Sequence, residues 1–436
     1  VSNAAESSEH ERALCASISA AVPEEAFTIS RVLAGAGHHA WLVGGSVRDL
    51  IRLWHGHAQA TLPSDFDLCT DAKPEVVRQL FRRVIPTGIA HGTVTVVLGR
   101  RHFEVTTLRG ERGYSDGRRP DEVFFVEDLR QDLARRDFTV NAIAFDLEHP
   151  AVIDPFDGRG DLERGVLRAV GDPLQRFSED GLRVLRCARF TSTLGLEVEM
   201  ATRAAMRPSL ASFAKVAGER VREEWLKALG SAAPSRAFGL LRSEGLLAIT
   251  CPELFPEGDE GADRAYSRAC ALLDRAPVDA ILRLALLLVF AAEPARAVAL
   301  LAQKLKLSGA EKTRLGRLSE PAAQLVHAPP DLQDAKAVRR LLRALGAEYT
   351  KDIVHIAELA APPLRELGGR LLDELSREPP LAVRDLRVNG GDLISELGMP
   401  PGPEVGRLLE RLLEATLDDP AVNDKARLLS LARELK

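Results

Sequence analysis

The sequence predicts an α+β chain, with a mixed α/β head followed by an all-α second half. Two observations carry this. Between about residues 40 and 155, short β-rich runs alternate with helical stretches. From Arg168 onward the strand signal fades, and Leu, Ala and Arg recur at helical spacing to the end. Length agrees, since 436 residues at about 100–200 per domain give two to four domains. A chain that is 45% hydrophobic and 28% charged is globular rather than disordered.

Taken in order, residues 1–27 form an N-terminal extension without the basic stretch and apolar core of a signal peptide. The head is expected over 28–165. It opens with a helix over Phe27–Leu33 and a strand over Ala40–Val43. The intervening Gly35-Ala36-Gly37-His38-His39-Ala40 fits GxGxxG/A loosely, but it follows a helix and precedes a strand, the reverse of a dinucleotide site. Further strands are expected over Phe66–Leu68, Thr93–Leu98, His102–Thr107 and Val140–Phe145, with a helix over Pro74–Phe81. Gly99-Arg100-Arg101 reads as a hairpin turn. A helical neck over 166–240, a body over 241–330 and a tail over 331–436 complete the division. Pro329-Pro330, Pro362-Pro363, Pro379-Pro380 and Pro400-Pro401 mark corners between helices, because apolar periodicity resumes on either side.

Charge excludes a generally basic nucleic-acid coat: 58 Lys+Arg stand against 63 Asp+Glu, a net −5. A polyanion partner therefore needs a local basic site. The longest uncharged apolar stretch, Leu284 to Ala292, falls far short of the ~20 residues of a membrane helix. Cys15, Cys69, Cys187, Cys251 and Cys270 are odd in number and form no CxxC pair, so a reduced, cytoplasmic protein without structural zinc is expected.

Several motifs point to chemistry. Gly44-Gly45-Ser46 lies between the strand Trp41–Val43 and a helix opening with Val47-Arg48-Asp49. That arrangement turns backbone N–H groups toward an anion, with Arg48 one turn on; it also suits a plain tight turn. In Ser64-Asp65-Phe66-Asp67-Leu68, a strand would put both carboxylates on one face and the apolar pair on the other. Two such carboxylates suit a divalent cation, or a solvated strand. Glu104, in the alternating run Phe103–Thr107, either aims at the same metals or is an exposed strand residue. Arg136 is a phosphate or base clamp, or an ion-paired arginine. Asp154 in Ile153–Gly158 reads as a turn cap. A helix beginning at Ser178 carries Asp180, Arg183, Arg186 and Arg189 at every third position, along one face. Such a face is solvated, or it meets phosphates and a base. A carboxylate accepts from an exocyclic amine and an adjacent guanidinium donates to a ring acceptor, so Asp180 with Arg183 would take CTP and ATP and reject GTP and UTP.

The series LVGGSVRD, SDFD, PTGIAHGTVTV, EVTTLR, YSDGRRPDEV, ARRDFTVNAIA, IDPFDG and EDGLRVLRCARF resembles the class II tRNA nucleotidyltransferases, the CCA-adding enzymes, and the related bacterial poly(A) polymerases. Both lie in the polymerase-β-like nucleotidyltransferase superfamily. The resemblance is strong over residues 40–230 and weaker in the tail, where Leu305–Ser308, Val388–Leu393 and Pro401–Gly406 look like the CCA-adding branch. It implies a polymerase-β-like head, and a neck that selects the nucleotide. It makes Asp65 and Asp67 the Mg²⁺ ligands, and Gly45 and Arg48 the holders of the triphosphate. Arg136 takes the place of the family's arginine in the RRD motif. Asp180, Arg183, Arg186 and Arg189 match the selecting helix, Asp180 and Arg183 serving as a protein template. Glu104 as third carboxylate is a geometric inference, strengthened by its place in the EVTT strand.

The implied reaction is addition of C, C and A to the tRNA 3′ end from CTP and ATP, with two Mg²⁺ ions assisting attack of the 3′-hydroxyl on the α-phosphate. Poly(A) addition, CC-only or A-only addition, and silent RNA binding are the alternatives; the PTG…HGT run and the loop Tyr114–Arg119 look more like the CCA-adding branch than a poly(A) polymerase, and they leave the CC-only and A-only readings open. The segment 52–61 is longer than the family's link, Asp157 stands where the family often has Gly, and Leu284–Phe290 lacks a phosphohydrolase His-Asp pair. His55 and His57 are read as surface residues of that longer segment.

Overall fold

The computed structural model describes residues 2–57, 60–89, 92–112, 122–256 and 258–436. His91 and the loop Tyr114–Arg119 lie outside the described residues, as do positions 58 and 59 of the longer segment. The chain divides into two compact units: Val1–Ala228 with Arg236–Thr250, and Leu229–Ser235 with Cys251–Lys436.

The first unit is built on one mixed sheet. Its strands in chain order are β1 (Ala40–Val43), β2 (Leu68–Thr70), β3 (Val84–Gly88), β4 (Thr93–Leu98) and β5 (Arg101–Thr107). A small hairpin follows, β6 (Arg109–Arg112) with β7 (Glu122–Phe125), and β8 (Ala144–Asp146) and β9 (Ala151–Ile153) return to the sheet. The sheet runs β3-β4-β5-β2-β1-β8-β9, with β2 and β5 parallel and the other neighbours antiparallel. Beneath the site, Val43, Cys69, Leu108, Leu129, Leu133, Ala142, Ala144 and Val170 form a buried cluster. The mixed sheet and helical remainder are those expected.

Three local expectations are corrected. The strand read at Phe66–Leu68 begins at Leu68, so Asp65 and Asp67 sit on its extended approach. The reason is loss of a partner: Val43 N–H still donates to the Asp67 carbonyl (3.0 Å), but Gly44 then turns into a helix and the ladder ends. Alternation survives, with Phe66 and Leu68 buried and both aspartates exposed. The strand read at Val140–Phe145 is a 3₁₀ turn, Thr139–Asn141, followed by β8. The helix read from Ser178 is two helices, Pro173–Glu179 and Leu182–Thr193, with Asp180 extended between them (φ −140°, ψ 107°). Its Oδ1 accepts from the Leu182 N–H at 3.0 Å, so Asp180 caps the arginine helix rather than riding on it.

Asp154 does cap its turn, accepting from the N–H groups of Gly158 and Arg159 at 2.8 Å each. Asp157 is left-handed (φ 59°), the conformation that explains why glycine suits this position. The next helix, Gly158–Arg164, packs so closely on the Thr139–Asn141 turn that a Cβ on Gly158 would lie 2.2 Å from the Thr139 carbonyl oxygen.

The described part of the second unit contains helices and no strand. Two of the tail motifs prove to be helix starts. Ser308 and Glu311 form a capping box for Gly309–His327, and Asn389 and Asp392 form one for Gly390–Leu397. Leu386, Val388, Leu393, Val405, Leu408, Leu412 and Leu428 make a buried core near the C-terminal end. Leu284 to Leu288 are buried in the helix Ala280–Leu288, and no described helix is long and apolar enough to cross a membrane.

Gly158→Ala should destabilise the first unit by about 2 kcal/mol, because backbone rather than a flexible side chain must yield. A lowered urea midpoint with unchanged slope checks this.

Candidate active site

The site forms where the β1 turn, the segment before β2 and the helix Leu182–Thr193 meet, all within the first unit. They enclose a cleft of about 470 Å³ lined by Gly44, Gly45, Arg48, Asp67, Arg136, Asp180, Arg183, Arg186 and Arg189. Of the expected site residues, only Asp65 and Glu104 lie outside this lining.

Gly44 begins the cleft in a backbone conformation that favours glycine. Its φ is +74°, and a Cβ would stand 2.7 Å from Arg136 Nη1. The helix Gly45–Trp54 follows at once. Arg48, buried one turn in, is clamped by both oxygens of Asp49 (2.9 and 2.8 Å), and it also donates to Asn141 Oδ1.

Asp137 organises the opposite wall. It is buried, and accepts from the Phe138 N–H and Asn141 Nδ2 at 2.9 Å each and from Arg186 Nε at 2.7 Å. Burial alone would raise its pKa, yet Arg186, Asn141 and Arg183 together hold it well below the ordinary carboxylate range. Arg136 donates to Asp132 Oδ2 (3.4 Å) and to the Asn141 carbonyl (3.5 Å), while its buried Nε has no hydrogen-bond partner among the described residues. An unsatisfied guanidinium N–H in a cleft of arginines suits an incoming anion.

Asp180 and Arg183, expected to read the base together, each bond to other partners in this structure. Asp180 is gripped by Arg220 through both oxygens (3.2 and 2.8 Å). Arg183 instead donates to Glu179 at 2.6 Å, to the Arg176 carbonyl at 3.0 Å and to the Arg135 carbonyl at 2.9 Å. The break between the two helices causes this, since it turns Asp180 off the face that carries Arg183. Both still line the cleft. Arg189 pairs with the buried Glu224, and burial depresses its pKa despite that acid.

The acidic side is open. Asp65 is exposed, its carboxylate accepting from the Ser64 hydroxyl (2.9 Å). Parallel β2 and β5 align Leu68 with Val105, which brings Asp67 and Glu104 together one residue earlier. Desolvation raises the Asp67 pKa first, the charges of Glu104 and Asp65 raise it further, and Arg136 opposes them. Like charges held together are relieved by a cation, and hard oxygen donors suit Mg²⁺. Among the described residues, no three His, Cys, Asp or Glu side chains form a closed metal cage. Mg²⁺ characteristically binds one or two carboxylates, taking its other ligands from water and phosphate.

Sequence reading missed Arg220, Asn141, Asp137, Phe190 and Glu224. Asp137 and Asn141 lie in the ARRDFTVNAIA run and could have been taken from it, whereas Arg220 and Glu224 stand on a charged helix with nothing to mark them.

Residues 40–168 match the family model described as poly A polymerase head domain, 195–257 an RNA- and SrmB-binding region of polymerase A, and 281–432 a tRNA nucleotidyltransferase domain 2. The CCA-adding enzyme of Lactobacillus helveticus is 48% identical over 203 residues, 47% of this chain and 49% of that protein. That of Lactobacillus johnsonii is 44% identical over 211 residues, 48% and 51% of the two lengths. The match thus spans about half the length of these curated relatives. Among solved structures, the Bacillus stearothermophilus CCA-adding enzyme in complex with CTP superposes with a TM-score of 0.75 at 30% identity, covering 94% of this chain and 96% of that one. The Thermotoga maritima CCA-adding enzyme complexed with tRNA shares the fold, with a TM-score of 0.64 at 19% identity over 95% of each chain.

Asp67→Asn should stabilise the metal-free chain at neutral pH. The folded state raises the Asp67 pKa, so stability present at acid pH is lost as pH rises through that raised value; the variant's advantage should therefore vanish in acid. Asp137→Asn should behave oppositely and cost about 3 kcal/mol at pH 7, because it removes the buried acid of a half-buried ion pair with Arg186. Its folded pKa is depressed, so the deficit should shrink as pH falls below the ordinary carboxylate range. Urea titrations of each variant across pH check both.

Proposed function

The chain belongs to the CCA-adding enzyme family, and on that premise we propose that it adds C, C and A to the 3′ end of tRNA from CTP and ATP, without a nucleic-acid template. The observation that carries this reading is one cleft joining a strand-to-helix glycine turn, a row of arginines and an aspartate open to substrate.

The Gly44–Gly45 backbone and the start of the following helix receive the triphosphate. Arg48, Arg136, Arg186 and Arg189 neutralise it from fixed positions, which lowers the cost of the charge that develops during transfer. Asp180 accepts from the exocyclic amine of cytosine or adenine, and Arg183 donates to the neighbouring ring acceptor. Both must exchange part of their present bonding, Asp180 with Arg220 and Arg183 with Glu179. Asp65 and Asp67, with Glu104 beside them, would hold Mg²⁺. When bound, Mg²⁺ lowers the pKa of a coordinated hydroxyl and offsets phosphate charge. The tRNA 3′ oxygen attacks the α-phosphorus, and pyrophosphate leaves.

In this reading the head (28–165) and neck (166–240) carry the chemistry, and the body (241–330) and tail (331–436) hold the tRNA. All five cysteines are free and buried, which fits a reducing compartment. Poly(A) addition is the second reading, favoured by the head-domain match alone.

Incubation with tRNA lacking its 3′ end, with CTP and ATP singly and together, should give two added C and then one A. Long A tracts or partial products would select another reading. Asp67→Ala should abolish incorporation with folding intact. Asp180→Ala should erode the preference for CTP and ATP over UTP and GTP by about 1–3 kcal/mol, roughly 5- to 150-fold. Ratios of kcat/KM for the four nucleotides measure it.

A further inference from the structure

We propose that Phe190 is a positioning residue for the triphosphate: its ring is the common aromatic neighbour of three cleft arginines. The inference rests on the reading that this cleft takes a nucleoside triphosphate.

The guanidinium carbons of Arg189, Arg186 and Arg48 lie 4.0, 5.2 and 5.5 Å from the Phe190 ring centroid. All three distances fall within the about 6 Å over which a ring face attracts a cation. The arginines come from different parts of the chain, Arg48 from the helix after β1 and the other two from the helix that carries Phe190. The ring is itself fixed. Phe190 is only 3% exposed, and it meets Phe138 edge-on at 5.6 Å, which in turn meets Phe177 at 6.5 Å. Phe138 directly follows Asp137, so the row of rings ties the arginine helix to the segment that holds Arg186.

Each arginine also has an acid: Asp49 for Arg48, Asp137 for Arg186 and Glu224 for Arg189. Acids alone would hold the charges, but every carboxylate oxygen uses N–H groups that a phosphate needs. A ring face attracts the cation through its quadrupole and accepts few N–H bonds. It therefore lets three like charges stand close together while leaving donors at their edges for phosphate oxygens. Asp180 and Arg183 make no such contact among the described residues, so base choice and triphosphate grip are separable here.

The test uses the full chain and inorganic tripolyphosphate as probe, with binding followed by calorimetry. Phe190→Leu and Phe190→Met should bind it about tenfold more weakly and raise KM for CTP and ATP by a similar factor. The preference for CTP and ATP over UTP and GTP should not change, and Phe190→Tyr should restore binding. Because a buried ring also packs, a fluorinated phenylalanine series at position 190 keeps the shape while draining the quadrupole. Affinity should fall stepwise with each fluorine. Undiminished tripolyphosphate affinity across that series overturns the role of Phe190, as does an equal loss of base preference in the Leu variant. An unaltered chain that binds no CTP would instead refute the nucleotidyl-transfer reading itself.

Discussion

A single buried carboxylate, that of Asp137, fixes the geometry of the cleft. One oxygen takes Asn141 Nδ2 and a backbone N–H, and the other takes Arg186. Asn141 in turn receives Arg48. Two arginines from distant helices are thus referred to one acid. A buried carboxylate is tolerated only when paired and hydrogen-bonded, and here those requirements are met in part by Arg186 and Asn141, which line the cleft. The glycine turn, the 3₁₀ turn Thr139–Asn141 and the close packing of Gly158 follow from bringing these partners within reach.

The remaining charges obey the same rule. Arg189 has Glu224, Arg183 has Glu179 and Asp180 has Arg220. None is a bare buried charge, so the cleft is stable without ligand. The exceptions are the Arg136 Nε and the crowded carboxylates at Asp67. These two sites of unmet demand have opposite sign. A triphosphate with its divalent cation would meet both, which is the physical basis of the proposed substrate.

Much of this was legible in sequence, for particular reasons. β1 and β4 were read with their observed limits because their apolar runs end at glycines or polar turns that also end the ladder. The alternation at Asp65–Leu68 gave the correct faces even though the strand starts later, because burial follows the backbone's period and hydrogen bonding depends on a partner. Asp180 was misplaced for a related reason. Every third residue from Asp180 to Arg189 is polar, but the pattern cannot reveal that the chain breaks at Asp180 and restarts with it as cap. Arg220 and Glu224 were invisible because partners from another helix leave no local period. The net charge of −5 called for a local basic site but could not locate it. It averages carboxylates that crowd at one edge with guanidiniums gathered at another, and only folding separates them.

The most direct test of the account is a crystal structure of the chain with CTP and Mg²⁺. The triphosphate should lie against the Gly44–Gly45 turn, Arg48, Arg186 and Arg189, with the cytosine amine on Asp180 and Arg183 turned from Glu179 toward the base. A triphosphate bound elsewhere, or a base that leaves the Asp180–Arg220 and Arg183–Glu179 pairs untouched, would contradict it.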